Sequence, residues 1–320
     1  SKYMDYKNSN FFSSLDQEDR ISHYKKDKFN EFFLESLNFG LSELNIDYNV
    51  KDMVKNRKSF PSIIVTGSPR SGTTLITQLL SSCYSLGYAS NLMARFYQSP
   101  LTGAWLQNQL IPDDIQSLRT YNSRHGVTKS IYEPHEFGYF WSRYLNTSSS
   151  CHDPLSSNSF NVSNIELLHT DLMWLTKVFG KPAVYKCSIA PFFMDFFMKY
   201  TNAYFIHIVR DKNQVVDSIL NTRQERLGSV DKWWSIKPYG WEEAVKLKPV
   251  DQVEWQYDKV VNKINSIGLE YKNRVYKVEL ENLVNNTQES LHGIMENFME
   301  YCDTSVERVG PPIPTLRHQT

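Results

Sequence analysis

The fold of this chain is predicted by one segment, Ser62-Ile-Ile-Val-Thr-Gly-Ser-Pro-Arg-Ser-Gly-Thr-Thr-Leu-Ile76. A β-branched run, Ile63-Ile-Val65, leads into a turn that contains Gly67 and Gly72. The residues from Thr73 to Cys83 then have the pattern of a helix. A strand, a turn with G-x-x-x-x-G spacing and a helix are typical of a phosphate-binding loop. We therefore predict an anion site at the start of this helix.

The loop lacks a residue that ATP- and GTP-binding loops carry. Their consensus has a lysine directly after the second glycine, but this position is Thr73 here, and the basic residue is Arg70, inside the loop. A loop without this lysine suits a nucleotide that has no γ-phosphate. The backbone N–H groups of the loop and the positive end of the helix would hold such a nucleotide. The loop residues predicted to bind it are Ser68, Pro69, Arg70, Ser71, Gly72, Thr73 and Thr74.

A second pair of residues is also predicted to bind phosphate. The buried run 204–209 has the pattern of a strand that ends at Arg210, and Ser218 follows eight residues later on the next predicted helix. Open α/β sheets bind ligands at the carboxyl ends of their strands, and a guanidinium there can hold phosphate through two hydrogen bonds. Arg210 and Ser218 are therefore candidate ligands of a second phosphate.

Strands and helices alternate along the rest of the chain. Short apolar runs predict strands near residues 87–89, 183–186, 204–209 and 274–278, and helical stripes lie between them, for example over 165–179. Such alternation indicates right-handed crossovers and a parallel sheet. We predict an α/β fold with a single domain, a central parallel β-sheet flanked by helices on both faces.

Around this domain, assigned to residues 59–303, the sequence predicts two additions. Residues 1–58 are expected to form a helical extension packed on the domain, and residues 304–320 an extended, proline-rich tail. The helix of the extension is expected to pack through apolar residues at helical spacing: Phe29, Phe32, Phe33 and Leu37.

Composition excludes several classes of function. Lys and Arg together number 35, as do Asp and Glu, so a basic excess for nucleic-acid binding is absent. The chain has no apolar run long enough to span a membrane, and its four cysteines lack a C-x-x-C pattern, so no metal site is predicted. We expect a cytoplasmic protein, or one in the Golgi lumen if an N-terminal anchor has been removed. The oligomeric state is left open.

These motifs together resemble those of the sulfotransferase family that uses 3′-phosphoadenosine 5′-phosphosulfate (PAPS). The donor-binding signature of that family is similar to Pro69-Arg-Ser-Gly-Thr-Thr74, and its second signature, which holds the 3′-phosphate, is similar to the pair Arg210 and Ser218. The resemblance extends over roughly residues 60–300. It implies a sulfotransferase domain, PAPS as donor, adenosine 3′,5′-bisphosphate as product and no metal. Arg70 would then face the transferring sulfonate.

The resemblance also implies a role for Lys186, at the end of a predicted strand, in stabilising the bridging oxygen. In the cytosolic branch of the family a catalytic histidine stands two residues after this lysine, but the chain has Lys186-Cys-Ser188. The base must therefore come from elsewhere. The densest titratable segment is Glu133-Pro-His-Glu-Phe137, similar to a segment of bacterial members. Among its candidates we favour Glu133 and His135 over Glu136, with a solvated loop as the alternative.

The sequence thus predicts a sulfotransferase that moves a sulfonate group from PAPS by in-line transfer to a hydroxyl or amine. The acceptor is a small molecule, a glycan or a lipid-linked alcohol, among which the sequence does not choose. Two other classes stay open: an ATP-dependent small-molecule kinase with a phosphate-binding loop, and a non-catalytic nucleotide-binding protein. The absent loop lysine opposes the first class, and the Glu133–Phe137 segment opposes the second.

Overall fold

The structure is a computed structural model. It describes most of the chain, but the start of the predicted extension and the end of the predicted tail lie outside the described residues. The described residues are 20–21, 25–121, 123, 126–147, 150–156, 160–313 and 316.

Five parallel strands form one sheet, in the spatial order β2-β3-β1-β4-β5. The strands are β1 (Ser62–Thr66), β2 (Gly87–Tyr88), β3 (Ala183–Lys186), β4 (Tyr204–Val209) and β5 (Val275–Glu279). β1 lies in the middle, where its register pairs Val65 with Lys186 on one side and with Ile206 on the other. This arrangement confirms the predicted parallel α/β sheet.

Helices surround the sheet, and several of them are short. In chain order they are α1 (Lys28–Glu43), α2 (Ile46–Val54), α3 (Thr73–Cys83), α4 (Pro100–Leu110), α5 (Asp113–Gln116), α6 (Gly138–Ser142), α7 (Ser163–Phe179), α8 (Met194–Tyr200), α9 (Lys212–Leu227), α10 (Trp241–Ala244), α11 (Pro249–Glu270), α12 (Leu280–Asn285) and α13 (Thr287–Cys302). None of the described helices has the length and apolar composition needed to cross a bilayer.

The core has one layer on each face of the sheet. Successive side chains of a strand point to opposite faces, and the fully buried strand β1 follows this rule. Ile64 packs into a cluster with α7, α8 and α11, whereas Ile63 and Val65 pack into a cluster with α3 and α13. The apolar run that predicted β1 is therefore continuous because both faces of the strand are covered.

Helix α1 forms where the sequence predicts a helix, but the expected packing face is wrong. Phe29, Phe32 and Phe33 are exposed, at 87%, 68% and 63% of their surface. The helix instead buries Asn38, whose side-chain amide donates to the carbonyl of Arg95 at 2.8 Å. A polar residue with specific partners fixes the helix through the face opposite the phenylalanines, a contact that hydrophobic periodicity does not report.

The region between residues 98 and 164, where the sequence shows weak periodicity, contains α4 and α6. Helix α4 begins with Pro100 after Ser99, which makes no side-chain cap. The cap comes instead from α2, where Asp47 accepts hydrogen bonds from the backbone N–H groups of Leu101 (3.2 Å) and Thr102 (2.9 Å). The first turn of α4 therefore depends on a carboxylate that is distant in sequence.

Replacing this carboxylate tests the contact between the extension and the domain. We expect Asp47→Ala to lower the free energy of unfolding by about 1–2 kcal/mol, because two N–H groups of α4 lose their acceptor. Asp52→Ala is a matched control on the same helix, since Asp52 is exposed and forms an ion pair with the neighbouring Lys55. Urea unfolding of both variants measures the difference; equal effects would contradict the assigned cap.

Candidate active site

A cleft of about 1860 Å³ opens at the carboxyl ends of the central strands. Its walls come from the turn after β1, the ends of β3 and β4, helix α9 and the segment before α6. The strand order reverses at β1, because the chain builds β2 and β3 on one side and then β4 and β5 on the other. Ligands of open α/β folds bind at such reversal points.

The turn after β1 presents backbone N–H groups to this cleft. Gly72 has φ +98°, and no side chain caps the start of α3. Ser71 closes the turn by donating from Oγ to the carbonyl of Ser68 at 2.6 Å. Since the first N–H groups of a helix lack intrahelical partners, this turn can bind an anion, and the dipole of α3 favours one there.

Gly67 allows the turn to pack tightly against β4. A Cβ atom at this position would lie 2.5 Å from the carbonyl oxygen of Ile208 and 2.8 Å from Oγ of Ser71. Only glycine therefore fits between the two strands at this point, and the spacing of Gly67 and Gly72 has a steric cause.

Two arginines and a serine meet beside the loop. Arg70 donates from Nε to Oγ of Ser218 at 2.9 Å, and Arg210 donates from Nη1 to the carbonyl of Arg70 at 3.1 Å. Burial, followed by the like charge of Arg210, lowers the pKa of Arg70. Two neighbouring cations with adjacent donors form a site that a dianion would stabilise. The structure thus brings the loop and the predicted second phosphate site together.

Lys186 lies on the other side of the loop, at the end of β3. Its Nζ donates to Oγ1 of Thr74 at 3.2 Å. The backbone of Lys186 is fixed from α6, since Trp141 donates from Nε1 to its carbonyl oxygen at 2.9 Å. An ammonium group and a hydroxyl therefore stand together at the start of α3, where they can stabilise negative charge.

Glu136 is the carboxylate of the Glu133–Phe137 segment that lines the cleft. Ser188 donates a short hydrogen bond from Oγ to Oε1 of Glu136. Burial by itself raises the pKa of Glu136, but the charge of Lys186 and the Ser188 hydrogen bond outweigh this effect, so the pKa lies below its ordinary value. Glu136 is therefore ionised at neutral pH and can accept a proton.

His135 also lines the cleft, but its lone pair is occupied. Its Nδ1 accepts the backbone N–H of Phe137 at 2.7 Å, so neutral His135 carries its proton on Nε2. Burial lowers the pKa of His135 to about 4. The charges of Lys26, Arg95 and Lys186 also lower this pKa, whereas the charge of Glu136 raises it. At neutral pH this ring can donate a hydrogen bond to a ligand but has no free lone pair for a proton.

Glu133 is absent from the cleft lining and 1% exposed. Its Oε1 accepts the backbone N–H of Thr120 at 2.8 Å, and its Oε2 accepts from the side-chain amide of Gln78 at 3.4 Å. Through these contacts Glu133 joins Thr120 to α3, which carries Gln78. The structure therefore separates Glu133 from Glu136, although both stand in one short segment.

Sequence reasoning missed several residues of the cleft. Arg20, Lys25 and Lys26, which precede α1, line it. Their sequence signal is a short basic run in a polar region, which is common on solvated surfaces. Their position follows from where the N-terminal segment crosses the domain.

The cleft thus combines a loop that can bind an anion, a pair of neighbouring arginines and a carboxylate near a lysine, a set suited to group transfer. The profile described as "Sulfotransferase family" matches residues 61–300. The chain therefore belongs to the sulfotransferase family. This finding confirms the resemblance predicted from the loop and from Arg210 and Ser218.

Solved structures agree on the fold. Sulfotransferase STF1 from Mycobacterium tuberculosis H37Rv is similar with a TM-score of 0.55 and 17% identity, covering 93% of this chain and 84% of that one. Sulfotransferase STF9 from Mycobacterium avium gives a TM-score of 0.53 and 14% identity, with 87% and 74% covered. No curated protein sequence matches this chain.

The steric role of Gly67 can be tested directly. We expect Gly67→Ala to lower the free energy of unfolding by about 1–3 kcal/mol, because the added methyl group collides with the backbone of β4. Gly138→Ala is the control: it also lines the cleft, yet an added Cβ there has no neighbour within 4 Å. Chemical denaturation of both variants measures the effect; a stable Gly67→Ala protein would contradict the close approach.

Proposed function

We propose that this protein transfers a sulfonate group from PAPS to a hydroxyl or amine of its acceptor. The observation that carries the proposal is the meeting of Arg70, Arg210 and Ser218 beside the loop. PAPS has phosphate groups on both its 5′ and 3′ oxygens, so it needs two anion sites. The loop supports binding of the 5′-phosphosulfate, and the arginine–serine cluster supports binding of the 3′-phosphate.

The geometry favours a changed role for Arg70. The sequence led us to expect this side chain at the transferring sulfonate, but its Nε contacts Ser218 on α9. We therefore place Arg70 with Arg210 on the 3′-phosphate. The side chains of Lys186 and Thr74 then lie nearest to the transferring group, because they meet at the start of α3. The charge of Lys186 also acts on Glu136.

In the transfer, a bond forms between the acceptor oxygen and sulfur while the bond from sulfur to the 5′-phosphate oxygen breaks. Lys186 and the N–H groups of the loop would stabilise the charge that develops on the leaving phosphate. Glu136 would take the proton of the acceptor hydroxyl, and neutral His135 would donate from Nε2 to orient that acceptor. Glu133 would fix the position of the Glu133–Phe137 segment through its hydrogen bonds with Thr120 and Gln78.

Glu136 is thus our candidate for the base, ahead of the two residues that the sequence favoured. It lines the cleft, it is ionised, and the ammonium of Lys186 is near enough to lower its pKa. His135 has its acceptor nitrogen bonded to Phe137, and Glu133 faces Gln78 and Thr120.

Binding of the donor product tests the first half of the proposal. We expect Arg210→Ala to weaken binding of adenosine 3′,5′-bisphosphate by about 10- to 100-fold, as for loss of charge-assisted hydrogen bonds. Lys212→Ala is the control, because Lys212 is two residues away and pairs with Asp258. Calorimetry with and without Mg²⁺ measures both variants. Tighter, Mg²⁺-dependent binding of ATP by the native protein would favour the kinase class instead.

Measurements of turnover test the second half of the proposal, the role of Glu136 as the base. We expect Glu136→Gln to lower kcat by about 10²- to 10⁴-fold, the usual contribution of a general base, while binding of adenosine 3′,5′-bisphosphate stays unchanged. The measurement is transfer of radiolabelled sulfate to whichever phenol, glycan or lipid alcohol the native protein accepts. Glu133→Gln is the paired variant: it should lose stability but keep kcat. Full activity of Glu136→Gln would exclude it as the base.

The pH profile gives an independent check on Glu136. Because the pKa of this carboxyl lies below its ordinary value, the base stays ionised as the pH falls from neutrality into the acid range. We therefore expect kcat/KM to stay level through mildly acid pH and to fall only when Glu136 is protonated. A fall in kcat/KM near pH 6.5, the ordinary pKa of an unperturbed histidine, would contradict the assignment.

A further inference from the structure

A segment before α1 crosses the acceptor side of the cleft; we call residues 20–21 and 25–27 the N-terminal strap. At one end the backbone N–H of Ile21 donates to the carbonyl of Arg226 at 2.9 Å, near the end of α9. At the other end Nζ of Lys26 donates to the hydroxyl of Tyr139 on α6 at 2.5 Å. The strap is therefore held to both walls of the cleft.

The strap and α9 place cations on the side of the proposed base. Arg20, Lys25, Lys26 and Arg226 all line the cleft. The charge of Lys26 acts on His135, and the charge of Arg226 acts on Glu136. These side chains therefore face the region where an acceptor would meet Glu136.

Carboxylates also lie on this side: Glu136 lines the cleft, as does Glu225, next to Arg226 on α9. Glu136 and Glu31 act on Lys26, and Glu31 also accepts a hydrogen bond from the hydroxyl of Tyr139 at 2.6 Å. The charges of Arg20 and Arg95 both lower the pKa of Lys26, and the charge of Arg95 also lowers that of His135. Moreover, Nε of Arg20 is buried and has no hydrogen-bond partner among the described residues. A buried donor without an acceptor costs free energy that a bound anion would offset.

The donor does not account for this positive charge. In the proposed function the 3′-phosphate is bound by Arg70 and Arg210, and the phosphosulfate by the loop with Lys186. Arg20 and Lys26 belong instead to the strap, which is attached to the C-terminal end of α9 and to α6, and the charge of Lys26 acts on His135. The ligand that they face is the acceptor.

We propose that the acceptor is an anion: a hydroxyl compound that also carries a carboxylate, phosphate or sulfate group, which Arg20 and Lys26 bind. This inference rests on the proposed function and names the class of its acceptor. The hydroxyl is directed to Glu136 while its anionic group is held by the strap. That group is unchanged in the reaction, since only the hydroxyl proton is lost and the new oxygen–sulfur bond forms at the same oxygen.

Binding without turnover tests the charge preference. The full chain is saturated with adenosine 3′,5′-bisphosphate, which occupies the donor site, and is titrated by calorimetry with pairs of equal skeleton: methyl β-glucuronide against methyl β-glucoside, glycerol 3-phosphate against glycerol, and 4-hydroxybenzoate against its methyl ester. We expect the anionic member of at least one pair to bind more than ten times tighter than its neutral partner. Equal binding within every pair would overturn the inference.

Variants locate the preference in the strap. Arg20→Met together with Lys26→Met should abolish the tighter binding of the anion and leave binding of adenosine 3′,5′-bisphosphate unchanged. The charge-preserving pair Arg20→Lys and Lys26→Arg should retain most of it, which separates charge from folding. Lys28→Met is the control, because Lys28 is exposed on α1 and absent from the cleft lining. An anion preference that survives the double Met variant would also overturn the inference.

The same experiment keeps the two proposals apart. If adenosine 3′,5′-bisphosphate fails to bind the native protein, the proposed function is wrong, and the inference fails with it. If it binds with normal affinity and the neutral compounds bind as well as the anions, only the acceptor class is wrong.

Discussion

The close approach of β1 to β4 at Gly67 is the constraint on which the site depends. The turn after β1 passes so near the carbonyl of Ile208 that a single methyl group would collide with it. The turn passes over the carboxyl end of the sheet, and it lines the cleft together with the start of α3. It also brings Arg70 within reach of Ser218 and of Arg210. A small steric condition in the backbone thus sets the distance between the two anion sites.

The charged side chains on the two sides of the loop have different effects. On one side of the loop, burial and then the like charge of Arg210 lower the pKa of Arg70, so a bound phosphate would relieve repulsion as well as form hydrogen bonds. On the other side, Lys186 holds Glu136 ionised in spite of burial. Lys186, the cation that would stabilise the leaving phosphate, therefore also keeps the proposed base ionised. In this arrangement the donor and acceptor sides are coupled through Lys186.

The fold, and the position of the loop beside Arg210 and Ser218, could be predicted because their signals are local. The apolar run of β1, the spacing of Gly67 and Gly72, and the eight-residue step from Arg210 to Ser218 each report a geometry within one strand–turn–helix unit. The acceptor side could not, because its residues meet only in space. Glu133 and Glu136 are three positions apart and chemically alike, yet one accepts from Thr120 and Gln78 while the other faces Lys186 and Ser188.

By itself, the sequence determined the parallel α/β fold, since periodicity and glycine spacing depend on near neighbours along the chain. Its motifs, Pro69–Thr74 with Arg210 and Ser218, also carried the resemblance to the sulfotransferase family. Only the tertiary structure decided which side chains share the cleft. The apolar stripe of α1 predicts a buried face, but Asn38 holds the opposite face to the domain and leaves the phenylalanines exposed. Likewise, the strap reaches Arg226 and Tyr139 through long-range hydrogen bonds. Contacts between distant segments leave no period in the sequence, so they emerge only when the chain has folded.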